Sequence, residues 1–109
     1  MMNINGMARG YMAKKLGGED FLLHVGECVE RQLKEWNDRY KVNIMKLADY
    51  EFVVIYEEKY YHVQLTKEEI ELLQKQSPYA LDREIWKELE NQGLVIVRGV
   101  GNYIERVLY

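Results

Sequence analysis

Residues 65–109 read LTKEEIELLQKQSPYALDREIWKELENQGLVIVRGVGNYIERVLY, and this stretch decides the fold class. Thr66 followed three residues later by Glu69 is the capping-box pattern, in which each side chain satisfies a backbone N–H at a helix start, and Leu65 stands at staple spacing from Ile70. A helix is therefore predicted to begin at Lys67, with Ile70 and Leu73 as its apolar stripe and Leu72 widening it. Ser77-Pro78 ends it, because a proline drives the residue before it out of the α region. The next helix starts either at Pro78 with Ser77 as its cap, or at Asp82 with Leu81 and Trp86 as the staple. It carries Leu81, Ile85 and Leu89 on one face with Trp86 beside them. Gly93 closes it, since glycine takes the left-handed conformation at little cost.

Beyond Gly93, the β-branched run Leu94 to Val97 and the segment Tyr103 to Tyr109 are predicted to pair as a hairpin around a Gly101-Asn102 turn. That register sets Arg98 opposite Glu105, Ile96 opposite Val107 and Leu94 opposite Tyr109. Upstream, Tyr50 to Glu57 and Tyr61 to Leu65 form another expected hairpin. A four-residue loop, Glu57 to Tyr60, pairs Tyr56 with Tyr61, Val54 with Val63 and Phe52 with Leu65, leaving Val53, Ile55, His62 and Gln64 on a mixed opposite face. Lys41 to Leu47 alternates at Val42 and Ile44 as a strand does, while Met45 and Leu47 also fit a helix; strand is preferred.

The longest predicted element starts at Glu19, where Leu22, Val25, Val29, Leu33, Trp36 and Tyr40 recur every three or four residues. Glu27 with Arg31, Glu30 with Lys34 and Glu35 with Arg39 stand at i,i+4 on its polar side. Phe21 and Cys28 add a second apolar strip. A helix of this length outruns a sheet of short strands, so Phe21, Leu22, Val29, Trp36 and Tyr40 are expected to meet a partner or a second copy of the chain. Residues 1–18 are expected to be a flexible or docking segment, with Met7 to Met12 as an accessory contact, and residues 19–109 to form one α+β domain. The antiparallel sheet comes from the two hairpins, with the helical pair between them and the long helix packed across.

A chain of 109 residues, nearly half of them hydrophobic, suits one core. The net charge of −3 argues against a surface wholly given to nucleic acid. Cys28 is the single cysteine, so no internal disulfide can form. No apolar run approaches a membrane span, and no leader pattern opens the chain, which makes a cytoplasmic location the expectation.

Nucleophilic catalysis would fall to Ser77, Thr66 or Cys28, the single residues of their types. Thr66 and Ser77 serve as helix caps, and Cys28 fits a small apolar position. His24 and Cys28 lie four apart on a helix and could share a metal, but a zinc site needs more ligands. His62 reads as a half-exposed strand residue, and Gly99-Val100-Gly101 as a turn. No catalytic, metal or cofactor site is expected, and the chain is read as a non-catalytic interaction or homodimerising module. Nine tyrosines suit a protein-contact surface.

Ile85 to Leu94, IWKELENQGL, followed by a hairpin, resembles the end of a winged helix-turn-helix, in which a recognition helix runs into a wing. The resemblance covers less than half of the chain. It implies, as the alternative function, duplex DNA binding through Arg83, Lys87 and Arg98. The same helix is read as exposing Asp82, Glu84, Glu88 and Glu90, whereas such a helix usually offers Arg, Lys, Ser, Thr or Asn to the groove.

Overall fold

Two glycines set the architecture. In the computed structural model, which describes residues 6–99 and 103–108, a short helix α1 (Gly6–Lys15) gives way at Leu16-Gly17 to the long helix α2 (Gly18–Trp36). Midway along α2, Gly26 faces the sheet, where a Cβ would stand 2.6 Å from Ile44 Cδ1. The missing side chain lets α2 lie close against the strands. Phe21, Leu22, Val25, Val29 and Leu33 are all fully buried along this face, as their helical spacing requires.

The sheet is an antiparallel meander, β1 (Tyr40–Lys46), β2 (Tyr50–Tyr56) and β3 (Lys59–Leu65), with β2 in the centre. The Lys41 to Leu47 segment is thus a strand. Its Val42 and Ile44 turn inward with Phe52 and Val54 of β2 and Tyr61, Val63 and Leu65 of β3. The β2–β3 register differs from the expected one by two residues: Tyr56 pairs with Lys59, Val54 with Tyr61, Phe52 with Val63 and Tyr50 with Leu65. A two-residue slip keeps every side chain on its face, so the apolar pattern does not distinguish the two registers. The tighter one gives Tyr50 and Leu65, both buried, to each other. It closes through Glu57 at φ 55°, a conformation no turn residue advertised here.

Helix α3 (Lys67–Gln76) starts as read: Glu69 N–H donates to Thr66 Oγ1 at 3.0 Å and Thr66 N–H to Glu69 Oε1 at 2.9 Å. Helix α4 (Ala80–Asn91) starts at neither expected position. Tyr79 is its N-cap without a side-chain bond, while Ser77 closes α3, its N–H on the Leu73 carbonyl. Gly93 has φ 101° and ends α4 as anticipated.

The second hairpin is overturned. Among the described residues, Leu94 to Gly99 pair with no strand, and Tyr103–Leu108 is a helix, α5, which buries Ile104 and Val107. The expected Gly101-Asn102 turn and Tyr109 lie outside the described residues. Two competing preferences explain the change. Ile104 and Val107 are three apart, a helical spacing that also suits one face of a strand poorly, and the β3 edge a hairpin would extend is already occupied. There Gln92 accepts from His62 N–H at 3.0 Å and donates to the His62 carbonyl at 2.5 Å. The α+β class stands, with one three-stranded sheet and its helices packed on one face.

The expected i,i+4 pairs on α2 form no ion pair among the described residues. Glu30 instead accepts the Val42 N–H at 2.8 Å, and Arg39 reaches Glu57 at 2.7 Å. A partner from the neighbouring strand or turn is more rigidly placed than a solvated side chain one turn away.

Candidate functional site

Helix α1 brings an arginine into the core. GMARGYMAKK contains two glycines and no sustained apolar stripe, yet Arg9, Met12, Ala13 and Leu16 share a side, and Arg9 has no exposed area. Opposite it on α4, Asp82 lies on the face of Ile85, Trp86 and Leu89 and is equally buried. The guanidinium engages both carboxylate oxygens, Nη1 to Oδ1 and Nη2 to Oδ2, the second at 2.9 Å. This is the fork geometry that suits arginine better than lysine.

Further groups complete the surroundings of the pair. Nη1 donates to the Pro78 carbonyl at 3.1 Å, and Nη2 approaches Cys28 Sγ at 3.4 Å. The guanidinium carbon stands 4.6 Å from the centre of the Tyr79 ring and 5.6 Å from that of Phe21, both within cation–π range. Tyr103 from α5 donates to Asp82 Oδ2 at 2.5 Å and accepts from Trp86 Nε1 at 3.2 Å. Four helices thus meet on one ion pair, and Arg9 Nε is left buried without a partner.

Burial is the largest single influence on Arg9 and opposes its charge, but the hydrogen bonds and negative charge of Asp82, with smaller contributions from Tyr103 and Cys28, together outweigh it and raise the guanidinium pKa. Burial raises the Asp82 carboxyl above its ordinary value against the pull of Arg9 and Tyr103. Desolvation and the neighbouring Asp82 push the Tyr103 hydroxyl well up. Desolvation likewise raises the Cys28 thiol and, helped by Arg9, lowers His24. A buried thiol with a raised pKa is a poor nucleophile. His24 Nε2 lies 3.6 Å from Cys28 Sγ, yet among the described residues no group of three metal-binding side chains assembles.

The expected contact surface on the long helix is not on the surface. Phe21, Leu22 and Val29 are fully buried against the sheet and the helical pair; Trp36 and Tyr40 are half-buried, Trp36 edge-on to Trp86 and Tyr40 against Tyr56. The chain supplies its own cover, so these three residues leave no area for a partner. Of the accessory segment, Met7 and Tyr11 are exposed, whereas Met12 packs on the core.

Arg83 and Lys87 are exposed on α4, but Arg83 Nε is tied to the Val107 carbonyl at 2.8 Å, and Arg98 lies on a segment that is not a strand. Asp82, expected to be exposed, is the buried carboxylate just described. The wing of the winged-helix alternative is absent among the described residues, because α5 stands where its second strand was expected.

An open face is found instead on the sheet. Away from α2, three rows cross the strands: Lys41, Ile55 and Tyr60; Asn43, Val53 and His62; Met45, Glu51 and Gln64. Val53 at the centre is 4% exposed, while Tyr60 and Met45 at opposite corners are 60% and 44% exposed. His62 Nδ1 lies 3.3 Å from Glu51 Oε1. Sequence reading identified this mixed face but could not place its corners, which depend on both the β1–β2 and the β2–β3 registers.

No family model, curated protein or solved structure matches the chain. Among the described residues, no helix is long and apolar enough to cross a membrane.

Proposed function

We propose that this chain is a small non-catalytic interaction module that pairs with a second copy of itself through the open face of its sheet. The observation that carries this reading is the three-by-three array around Val53, where Ile55, Met45 and Tyr60 form an apolar diagonal band and Lys41, Glu51 and His62 supply both charge signs. A two-fold interface requires one patch to carry its own complement, and a face with both signs around an apolar centre meets that requirement better than it meets a strongly charged partner. With strands about 4.8 Å apart and about 3.4 Å per residue, the array covers roughly 15 by 17 Å. At roughly 250 Å² per copy this is smaller than the roughly 800 Å² per partner of a standard specific interface, so the association is weak and reversible and is populated only at high concentration.

Light scattering across a concentration series tests it. Wild-type mass should rise from the monomer's 13.0 kDa towards twice that value, and Ile55→Lys or Tyr60→Asp should hold it at the monomer. A wild-type mass that stays flat up to millimolar concentration refutes the reading.

A further inference from the structure

We propose that the pocket around Asp82 is a general receptor for the α1 helix of this protein, and that it accepts Arg9 from a second copy as well as from its own chain, giving a helix-exchanged dimer distinct from the sheet-face pairing.

Three features lead there. First, the pocket recognises both terminal nitrogens of a guanidinium: a bidentate carboxylate, a backbone carbonyl, an aromatic ring on the cation and a tyrosine that fixes the carboxylate from behind. None of these groups belongs to α1, so the receptor is built by α2, α4, α5 and the Pro78-Tyr79 turn. Second, besides the ion pair, α1 packs Met12, Ala13 and the following Leu16 on the core and is tied by Gln74. Gln74 Nε2 donates to the Ala13 and Leu16 carbonyls at 2.9 and 2.7 Å, and a ten-residue helix with two glycines is not stable alone. Its order depends on docking somewhere.

Third, the joint is short, the two residues Leu16 and Gly17. Leu16 N–H still bonds to the Met12 carbonyl in helical fashion, and Phe21 N–H bonds to the Gly17 carbonyl as α2 begins. Gly17, at φ −67° and ψ 163°, is extended between them. A side chain there would meet nothing within 4 Å, so the joint lies in open space. Bringing the Leu16-Gly17 joint into the helical range would fuse α1 and α2 into one helix of roughly 45 Å at 1.5 Å per residue. Arg9 is then carried away from its own Asp82 and presented to another molecule. Exchange of an identical element preserves every contact it makes, so only the joint and the concentration decide between closed and exchanged forms. In the wild type, the tether favours the closed form until the protein is concentrated.

Complementation between two full-length variants isolates the exchange. Arg9→Gln leaves Asp82 without its cation, and Asp82→Asn leaves Arg9 without its anion, so neither chain can make the pair alone. Exchanged between the two chains, the helices restore one native ion pair and place the two substituted side chains together as neutral amides. Both variants also carry Ile55→Lys, which removes the sheet-face pairing, and they are co-refolded from urea and examined by native mass spectrometry and light scattering. The expected result is a heterodimer in the mixture at twice the monomer mass, absent from either variant alone. It should also be absent when either is mixed with the Arg9→Gln/Asp82→Asn double variant. A mixture that remains monomeric with both variants folded overturns the proposal. If the single variants do not fold, appearance of a cooperative unfolding transition only in the mixture supports it, and a mixture as unfolded as its components overturns it.

Discussion

Arg9→Met tests how α1 is held. In a rigid interior, removing one member of a buried ion pair costs about 3–5 kcal/mol, because the other charge is stranded, a large part of the roughly 5–15 kcal/mol that stabilises a small domain. Here the fold offers an escape. Without Arg9, α1 retains half-buried Met12, Ala13 and Leu16 and the two Gln74 hydrogen bonds. These contribute about 3–5 kcal/mol, from some 100 Å² of apolar burial and about 1 kcal/mol per bond, against the entropy of ordering ten residues. The helix should therefore undock and let water reach Asp82, limiting the global loss to about 2–3 kcal/mol. Arg9→Met/Asp82→Leu should recover most of it. It should stop about 1 kcal/mol short, because the Tyr103 hydroxyl loses its acceptor. Urea unfolding followed by the fluorescence of Trp36 and Trp86 gives the double-mutant cycle, and hydrogen exchange reports α1 separately. A coupling below about 0.5 kcal/mol, with Gly6–Lys15 as protected in Arg9→Met as in the wild type, would refute the reasoning.

Alkaline pH should weaken the fold: the Tyr103 pKa is raised by desolvation and then by Asp82, so its contribution is complete below the ordinary tyrosine value of about 10. It is lost above that as the unfolded chain ionises, at about 1.4 kcal/mol per pH unit. Urea midpoints between pH 8 and 11 should fall less steeply in Tyr103→Phe. Cys28, buried with its pKa raised mainly by desolvation, should resist thiol reagents at pH 7.5 in the native protein. Arg9→Met should label at least tenfold faster, and equal rates would show that α1 does not shield the thiol. Thr66→Ala removes one half of the capping box and should cost about 1 kcal/mol, whereas Glu69→Gln, which keeps an acceptor, should cost less than half of that by the same urea measurement.

Local signals were legible where one segment decided its own structure. The Thr66–Glu69 box, the Gly93 stop and the apolar spacing of α2 as far as Trp36 all depend on neighbours in sequence and appear as read, whereas Tyr40, expected on the same helix, begins β1 beyond the Asn37 cap. The β2–β3 register was not legible, because a slip of two preserves every face. Leu94 to Val97 have strand-forming side chains but no free edge to join, and no propensity records that Gln92 has already taken it. The ion pair joins positions 73 apart, which no motif spans. A trace of it was present, however: Asp82 falls in phase with Ile85, Trp86 and Leu89, and Arg9 with Met12, Ala13 and Leu16. A charge on each of two apolar stripes, of opposite sign, marks a buried pair more directly than any single residue does. The long helix misled for a related reason. Its two apolar strips were counted as surplus because the covering elements, α1 and α5, were not recognised as cover.

Gln92 at His62 and Glu30 at Val42 have a consequence for how the protein can grow. Each side chain takes up backbone groups on an outer strand, at the middle of β3 and near the middle of β1. A strand edge left open is a template on which copies add without limit, extending ribbons one chain after another. With the two rims occupied, addition of further strands must first displace a side chain at either end. The proposed pairing through the sheet's face would consume the surface that made it, so assembly by that route would end at a finite size rather than in a fibre.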